Sequence, residues 1–313
     1  MKRPAAKPWE APIPSSIVGI HGLANKPPRE EKAGWWADAL AEGLRRNLGR
    51  DETVALDFVY WADLRYPEPL RDRDNREPYR PDHGLGPFPS PMGEPRRRTP
   101  TVTDRIYRGL ATLQEAVGFT PVDDAILEFR LDDLWGYHDD RAFRDAARGR
   151  LREALARHRD GPVLLLAHSM GGLIAYDVLR LAERDGSVAG PVTLVTLGAP
   201  LGLAEVKKTL AEEHGDLCLP RSVAAWHNLM DRNDIATVGE DLAATFPPNA
   251  AGVRVRDVPV INAYRAPDGH ENTHKSYGYL RTPELSRIVA GFWDGRNTPC
   301  IDPDGGVSGV WKE

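Results

Sequence analysis

The segment LLLAHSMGGL, residues 164 to 173, holds a serine that is well placed to do chemistry. Four apolar residues typical of a buried strand end at His168 and Ser169, and two glycines then open an amphipathic stretch. A strand that turns sharply into a helix can hold one side chain clear of the sheet, beside the positive end of the helix dipole. The tip of such a turn is crowded, so its neighbours must be small, as Ala167 and Gly171 are. The alternative is a serine that only caps the helix.

The pattern small-x-Ser-x-Gly resembles the nucleophile elbow of α/β-hydrolases. Ala167 stands in place of the usual first glycine, which is similar to a variant found among small bacterial lipases. A strand, a turn, a second glycine and a helix follow in the order that this geometry demands, which favours a nucleophile over a cap. Because an isolated serine hydroxyl is a poor nucleophile at neutral pH, Ser169 then requires a base, an acid that orients the base, and donors for an oxyanion.

The resemblance implies the chain order serine, acid, histidine, each after a successive strand. The segment NLMDRNDIAT supplies Asp231 and Asp234 as candidate acids. An apolar strand, a short loop and an aspartate followed by an apolar residue fit Asp234 better, whereas Asp231 lies nearer the strand end and suits a loop cap. Some members of the family place the acid after the preceding strand, where LGAPLGLAEV offers only Glu205 as a third candidate.

The base is expected after the last strand and before the last helix, where APDGHENTHKSYGYL contains His270 and His274. The family's histidine precedes a short aromatic or apolar segment, which KSYGYL resembles, so His274 is the expected base and His270 a solvated loop residue. His168 is expected to point away from the serine and to pack or line the turn. His158 and His214 lie in helix and loop contexts with no evident partner.

Two backbone amides are expected to form the oxyanion hole. One belongs to Met170, the residue after the serine, at the start of the helix. The resemblance implies that the other comes from a turn after an early strand, and SIVGIHGLANKPP offers such a turn at His21 and Gly22. On that basis Leu23 supplies the second N–H, although an ordinary strand-end turn has the same sequence.

Strand-like and helix-like runs alternate over most of the sequence, which predicts an α/β fold with a mostly parallel sheet covered by helices on both faces. About six strands are predicted, in the runs SIVGIHG, TVALDFVYW, PVLLLA, PVTLVTLG, SVAAWHNLMD and VRVRDVPVINAY. This number resembles the shortened form of the α/β-hydrolase fold. Amphipathic helices are predicted before Gly49, around Ala147, from Gly171, and from Pro283 with Thr282 as its cap.

A single domain is predicted over residues 1–313, with an insertion at 63–139 and a C-terminal tail at 295–313. Residues 66–100 are crowded with proline, arginine and aspartate, a composition that predicts a long loop without a packed core. One helix face is predicted inside the insertion, formed by Ile106, Leu110, Leu113 and Val117. Because the insertion leaves from the carboxyl end of a strand, we expect this helix to cover the site as a cap, with a surface helix as the alternative.

Composition excludes several function classes. The 313 residues have a net charge of -5, which provides no basic field for nucleic acid. No apolar run is long enough for a secretory signal or a membrane span, so a cytoplasmic protein is expected. Cys218 and Cys300 are expected to be free and inert. Because no phosphate loop, dinucleotide fingerprint or metal-ligand spacing is found, neither a cofactor nor a metal is expected.

These patterns together predict a serine hydrolase that cleaves an acyl ester of a small molecule or a lipid. Ser169 would attack the carbonyl, His274 would move the proton and Asp234 would hold the imidazole. The same triad would serve a thioesterase or an acyltransferase equally well. A binding protein that has lost catalysis on the same fold is the alternative from a different class.

Overall fold

The computed structural model describes residues 16–71, 77–91, 136–187, 190–237, 241–266, 269 and 271–295. These residues form an α/β structure in which one all-parallel sheet of six strands is flanked by helices. The predicted α/β class and strand number are therefore confirmed. None of the helices in these ranges is long and apolar enough to cross a membrane.

The sheet has the spatial order β2-β1-β3-β4-β5-β6. Its strands are β1 (Ser16–Ile20), β2 (Leu56–Val59), β3 (Val163–His168), β4 (Val192–Leu197), β5 (Val223–Met230) and β6 (Val255–Pro259). Every residue of β3 is buried, as expected for a central parallel strand with helices on both faces. Because all strands run in the same direction, the residues that follow them meet at one edge of the sheet.

The described residues include seven α-helices, besides four helical residues at 136–139 and three short 3-10 helices. The seven α-helices are α1 (Arg29–Leu48), α2 (Arg141–Arg157), α3 (Met170–Asp185), α4 (Ala204–His214), α5 (Leu242–Thr245), α6 (Ser276–Leu280) and α7 (Pro283–Trp293). The predicted helix ends are present: Gly49 closes α1 with a φ of 66°, and the Thr282 hydroxyl accepts a hydrogen bond from the amide of Leu285. The short helices α4, α5 and α6 were not predicted.

The apolar core lies on both faces of the sheet. Val163, Leu165 and Ala167 of β3 belong to the cluster that includes α2 and α3. Leu164 and Leu166 belong to the cluster on the opposite face, with residues of α1, α6 and α7. This alternation follows from the two-residue period of a strand, and it holds β3 rigidly at the centre of the sheet.

The described part of the insertion packs against the domain. In residues 77–91, Tyr79 and Phe88 are buried, and the amide of Phe88 donates to Asn47 Oδ1 of α1 at 2.8 Å. The expectation that residues 66–100 lack core contacts is therefore wrong for this part, because two aromatic rings anchor a segment that is otherwise polar. The predicted cap helix, with Ile106, Leu110, Leu113 and Val117, and most of the tail lie outside the described residues.

Candidate active site

Ser169 lies in a backbone conformation that is unusual for any residue except glycine. Its φ is 54° and its ψ is −128°, between the end of β3 and the first residue of α3. Its side chain makes no capping hydrogen bond to α3, so the alternative of a serine that only caps the helix is not supported. Such a conformation costs about 1–3 kcal/mol and persists only where the surrounding structure holds it. The amide of Ser169 is held by Leu197 O of β4 at 3.0 Å.

Two glycines let the turn at Ser169 contact the end of β1. A Cβ atom on Gly22 would lie 2.5 Å from Ser169 Cβ, and one on Gly171 would lie 2.7 Å from the carbonyl oxygen of Ile20. Real Cβ atoms do not approach so closely, so both positions need glycine. The loop after β1 and the turn after β3, which were recognised as separate motifs in the sequence, therefore form one contact.

Three of the predicted side chains form a continuous hydrogen-bonded chain. His274 Nε2 lies 3.0 Å from Ser169 Oγ, and His274 Nδ1 lies 2.8 Å from Asp234 Oδ1 and 2.9 Å from Asp234 Oδ2. Ser169 follows β3, Asp234 follows β5, and His274 follows β6 directly before α6. Because a carboxylate only accepts hydrogen bonds, Nδ1 carries the hydrogen and Nε2 offers its lone pair to the hydroxyl.

Asp234 is fully buried and makes further hydrogen bonds. The hydroxyl of Tyr279 donates to Oδ2 at 2.6 Å, and the amide of Ala236 donates to Oδ1 at 2.9 Å. Burial, followed by the charge of Asp234, raises the pKa of Tyr279, which keeps its hydroxyl protonated as a donor. Gly198 makes room for the carboxylate, because a Cβ there would lie 2.5 Å from Asp234 Oδ2. The sequence had suggested Tyr279 only as part of an aromatic segment after the base.

The other candidate acids have different surroundings. Asp231 Oδ1 accepts from the amide of Asn233 at 2.8 Å, and Oδ2 accepts from the amide of Asn262 at 2.6 Å. Asp231 therefore braces the loops after β5 and β6. Glu205 is exposed in the first turn of α4. The alternative base, His270, lies outside the described residues.

The expected oxyanion donors are the amides of Leu23, in the loop after β1, and of Met170, the first residue of α3. Within the described residues, neither amide donates a hydrogen bond to a protein group. The ammonium of Lys26 holds the loop by donating to the carbonyl oxygens of Leu23 and Ala24. Ala24 adopts a φ of 69°, so this loop is also tightly bent. The role of the two amides as oxyanion donors stays a prediction.

His21 fixes the peptide that precedes Leu23. Its Nδ1 donates to the carbonyl oxygen of Gly22 at 2.8 Å, and its Nε2 accepts from the amide of Trp61 at 3.1 Å. These two bonds require the neutral ring. Burial, followed by the charge of Lys26, lowers the pKa of His21 and keeps it neutral. The carbonyl of Gly22 is therefore held in one direction, and the N–H of Leu23 in the opposite one.

Lysine side chains lie on the side of the site next to α1. Lys32 is buried with its Nζ 3.1 Å from the hydroxyl of Tyr277, and burial lowers its pKa. Lys275, which follows the candidate base, pairs with Glu77, and burial lowers its pKa to about 8.

Asp177, Glu213 and His214 bring three ligand-type side chains together, with their atoms within 4.8 Å of one another. Arg148 Nη2 lies 2.6 Å from Asp177 Oδ2 and 2.7 Å from Glu213 Oε2, where a cation would have to sit. The group is therefore an ion-pair cluster. The view that His214 and His158 have no partner is wrong, because His214 bonds Asp177 and His158 Nε2 lies 3.0 Å from Asp57 Oδ2.

Comparison of the sequence with models of known protein families gives no match, and a search of curated proteins gives none either.

Proposed function

We propose that the protein is a serine hydrolase of the α/β-hydrolase fold that cleaves carboxylic (acyl) esters. The observation that carries this proposal is the hydrogen-bonded chain from Asp234 through His274 to Ser169. Its serine lies on a strained turn at the carboxyl edge of a parallel sheet, and its imidazole side chain is 15% exposed. A nucleophile, a base and an orienting acid are thus in hydrogen-bonding reach of one another.

In the proposed reaction, Ser169 Oγ attacks the ester carbonyl carbon while His274 Nε2 takes the hydroxyl proton. Asp234 keeps the imidazole in the required tautomer and stabilises the imidazolium that forms. The carbonyl oxygen becomes an oxyanion that accepts from the amides of Leu23 and Met170, each worth about 3 kcal/mol in comparable sites. The tetrahedral intermediate collapses as His274 returns the proton to the departing alcohol.

Water then resolves the acyl-enzyme by the same route. His274 takes a proton from the water, the hydroxide attacks the acyl carbon, and the proton returns to Ser169 Oγ as the carboxylic acid leaves. This scheme uses only side chains and backbone amides of the chain.

The substrate of the proposed enzyme is a small-molecule or lipid acyl ester. The insertion at 63–139 begins just after β2, at the edge of the sheet where Ser169 lies. We infer that its predicted helix narrows the acyl pocket as a cap. Replacing Leu110 and Leu113 by serine should then change the preference among p-nitrophenyl esters of increasing chain length more than it changes thermal stability. A large loss of stability with unchanged preference would contradict the cap.

The decisive experiment combines ester turnover with labelling by a fluorophosphonate probe. The wild-type protein should hydrolyse p-nitrophenyl esters and take up one probe, and Ser169→Ala should lose both while it remains folded. Ser187→Ala is the matched control, because Ser187 lies exposed at the other end of α3. Wild-type turnover in Ser169→Ala would refute the proposal. Probe uptake with cleavage of thioesters alone would indicate a thioesterase instead.

A further inference from the structure

His168 is a buried histidine adjacent to the nucleophile that the proposed reaction does not use. It is the last residue of β3, and 8% of its surface is exposed. Its Nε2 lies 2.8 Å from the backbone carbonyl oxygen of His274, the candidate base. A carbonyl only accepts, so His168 must donate this hydrogen bond from an Nε2–H group.

The ring of His168 lies against the loop after β1 and the loop that holds the base. Its centroid lies 4.9 Å from the ring centroid of His274, and its Nδ1 lies 3.1 Å from the place that a Cβ on Gly22 would occupy. Trp36 and Tyr279 enclose it, with ring centroids at 6.4 and 6.3 Å. The ring thus fills the space between the turn after β1, the turn after β3 and the loop that holds the base.

The groups around His168 keep it neutral. Burial, followed by the neighbouring His274, lowers its pKa, and the charges of Lys32 and Lys26 act in the same direction. The neutral ring has a single N–H, and the contact with the His274 carbonyl requires that this N–H be at Nε2. One tautomer is therefore selected by the surroundings.

We propose that His168 is a positioning residue, which sets the distance between His274 Nε2 and Ser169 Oγ by tethering the backbone of His274 to the end of β3. This inference rests on the proposed hydrolase function. Ser169 and His168 are consecutive, so the tether ties the base to the strand that carries the nucleophile. Asn262 Nδ2 donates to the carbonyl oxygens of the flanking Thr273 and Lys275 at 2.7 and 3.0 Å, whereas the bond from His168 holds the carbonyl of His274 itself. A misplacement of about 1 Å in such a site can cost about 100-fold in rate.

Two substitutions separate the hydrogen bond from the volume of the ring. His168→Met keeps a similar volume without a donor, and His168→Gln keeps an amide N–H near the position of Nε2. We expect kcat for a p-nitrophenyl ester to fall about 10- to 100-fold in the Met variant, with KM nearly unchanged. The Gln variant should recover most of that loss. The rate of fluorophosphonate labelling should follow the same order.

A residue with only a structural role would lower the thermal midpoint in both variants without this difference in kcat. A Met variant with wild-type kcat, or a Gln variant as slow as the Met variant at equal thermal stability, would overturn the proposal.

A second measurement needs no variant. In protein labelled with ¹⁵N-histidine, NMR reports the tautomer of His168 directly. The Nε2–H tautomer is expected, and the Nδ1–H tautomer would overturn the tether even if the Met variant failed to fold. If the wild-type protein neither cleaves esters nor reacts with the probe, the hydrolase proposal fails, while the NMR result still decides whether the hydrogen bond exists.

Discussion

Two aspartate–histidine pairs among the described residues have a buried carboxylate, and they differ in the group that contacts the second ring nitrogen of the histidine. Asp234 and His274 lie 2.8 Å apart at the carboxyl edge of the sheet, and Asp177 and His214 lie 2.7 Å apart between α3 and α4. Both carboxylates are almost fully buried. Beyond His274 lies the hydroxyl of Ser169, whereas beyond His214 Nδ1 lies the guanidinium of Arg184 at 3.3 Å.

The two carboxylates also differ in the charge of the groups that donate hydrogen bonds to them. Arg148 and the hydroxyl of Tyr137 both donate to Asp177 at 2.6 Å, and the His214 side chain is completely buried. Burial alone would raise the pKa of Asp177, but the hydrogen bond from His214 and the charge of Arg148 bring it below its ordinary value. In the described residues, the donors to Asp234 other than His274 are the hydroxyl of Tyr279 and the amide of Ala236, and neither carries a charge. An aspartate–histidine pair is thus suited to proton transfer where the second ring nitrogen of the histidine contacts a hydroxyl. It is suited to stabilising the fold where both ring nitrogens and the carboxylate are held by other side chains of the protein.

Substitution of the acid in the first pair should have the largest effect. Asp234→Asn should lower kcat on the order of 10⁴-fold, because an amide no longer enforces the tautomer with a lone pair at Nε2. Steady-state kinetics on a p-nitrophenyl ester measures the change. Asp231→Asn is the matched control and should keep most of its activity, because Asp231 bonds loop amides. If the two variants lost activity equally, the assignment of Asp234 as the acid would be wrong.

The equivalent substitution in the second pair should act on stability instead. Asp177→Asn breaks a buried ion pair with Arg148 and should lower the free energy of unfolding by about 3–5 kcal/mol. The variant should retain wild-type kcat per folded molecule at a temperature well below its unfolding transition. Urea unfolding and active-site titration with the fluorophosphonate give both numbers. A loss of kcat without loss of stability would show that the two pairs are not separable in this way.

His227 extends the comparison to a buried histidine that has no carboxylate partner among the described residues. Among the residues that the structure describes, His227 of β5 forms no ion pair; burial, followed by the charge of Arg256, lowers its pKa to about 4. The unfolded chain takes up the proton near pH 6.5, so this contribution to stability is complete above that pH and is lost as the pH falls toward 4.

Between pH 7 and pH 5, His227 should therefore account for about 2 kcal/mol of lost stability. His227→Gln should reduce the pH dependence by that amount, which urea unfolding at the two pH values would measure. An unchanged pH dependence would mean that His227 takes up its proton as readily in the native state as in the unfolded chain. The pKa values of His21 and His168 are also lowered, so some pH dependence of stability will remain in the His227→Gln variant.

The smallest expected effect concerns the strained turn, which the second pair lacks. Glycine adopts the backbone conformation of Ser169 without strain, so Ser169→Gly should be more stable than Ser169→Ala by about 1 kcal/mol. Both variants lack the nucleophile, so their difference in thermal unfolding isolates the backbone. Equal stability of the two would show that the turn stores little strain.

The positions of the candidate triad could be predicted because each residue follows a strand. Once the runs of β3, β5 and β6 are recognised as parallel strands, Ser169, Asp234 and His274 must lie along one edge of the sheet. The preference for Asp234 over Asp231 was based on the loop pattern alone. In the structure, Asp231 accepts hydrogen bonds from the amides of Asn233 and Asn262. The catalytic role of the three remains the proposal.

Contacts between distant side chains could not be predicted. His214 and its partner Asp177 are 37 residues apart on different helices, so no spacing links them. His168 was expected to pack at the turn. Its bond to the carbonyl of His274, 106 residues later, depends on the side-chain rotamer of His168, which no sequence pattern indicates. The packing of residues 77–91 was missed because Tyr79 and Phe88 are isolated in a polar segment whose average composition indicates a loop.

The parallel sheet has a consequence for how the protein acquires its activity. Ser169 and His274 are separated by 105 residues of chain, and no helix or hairpin can bring them together alone. Parallel strands need long crossover connections, so their pairing is non-local and intrinsically slow to form. The candidate site comes into being only when β3, β5 and the chain beyond β6 have all joined the sheet. In a refolding experiment, ester cleavage should therefore return later than the circular dichroism signal of the helices.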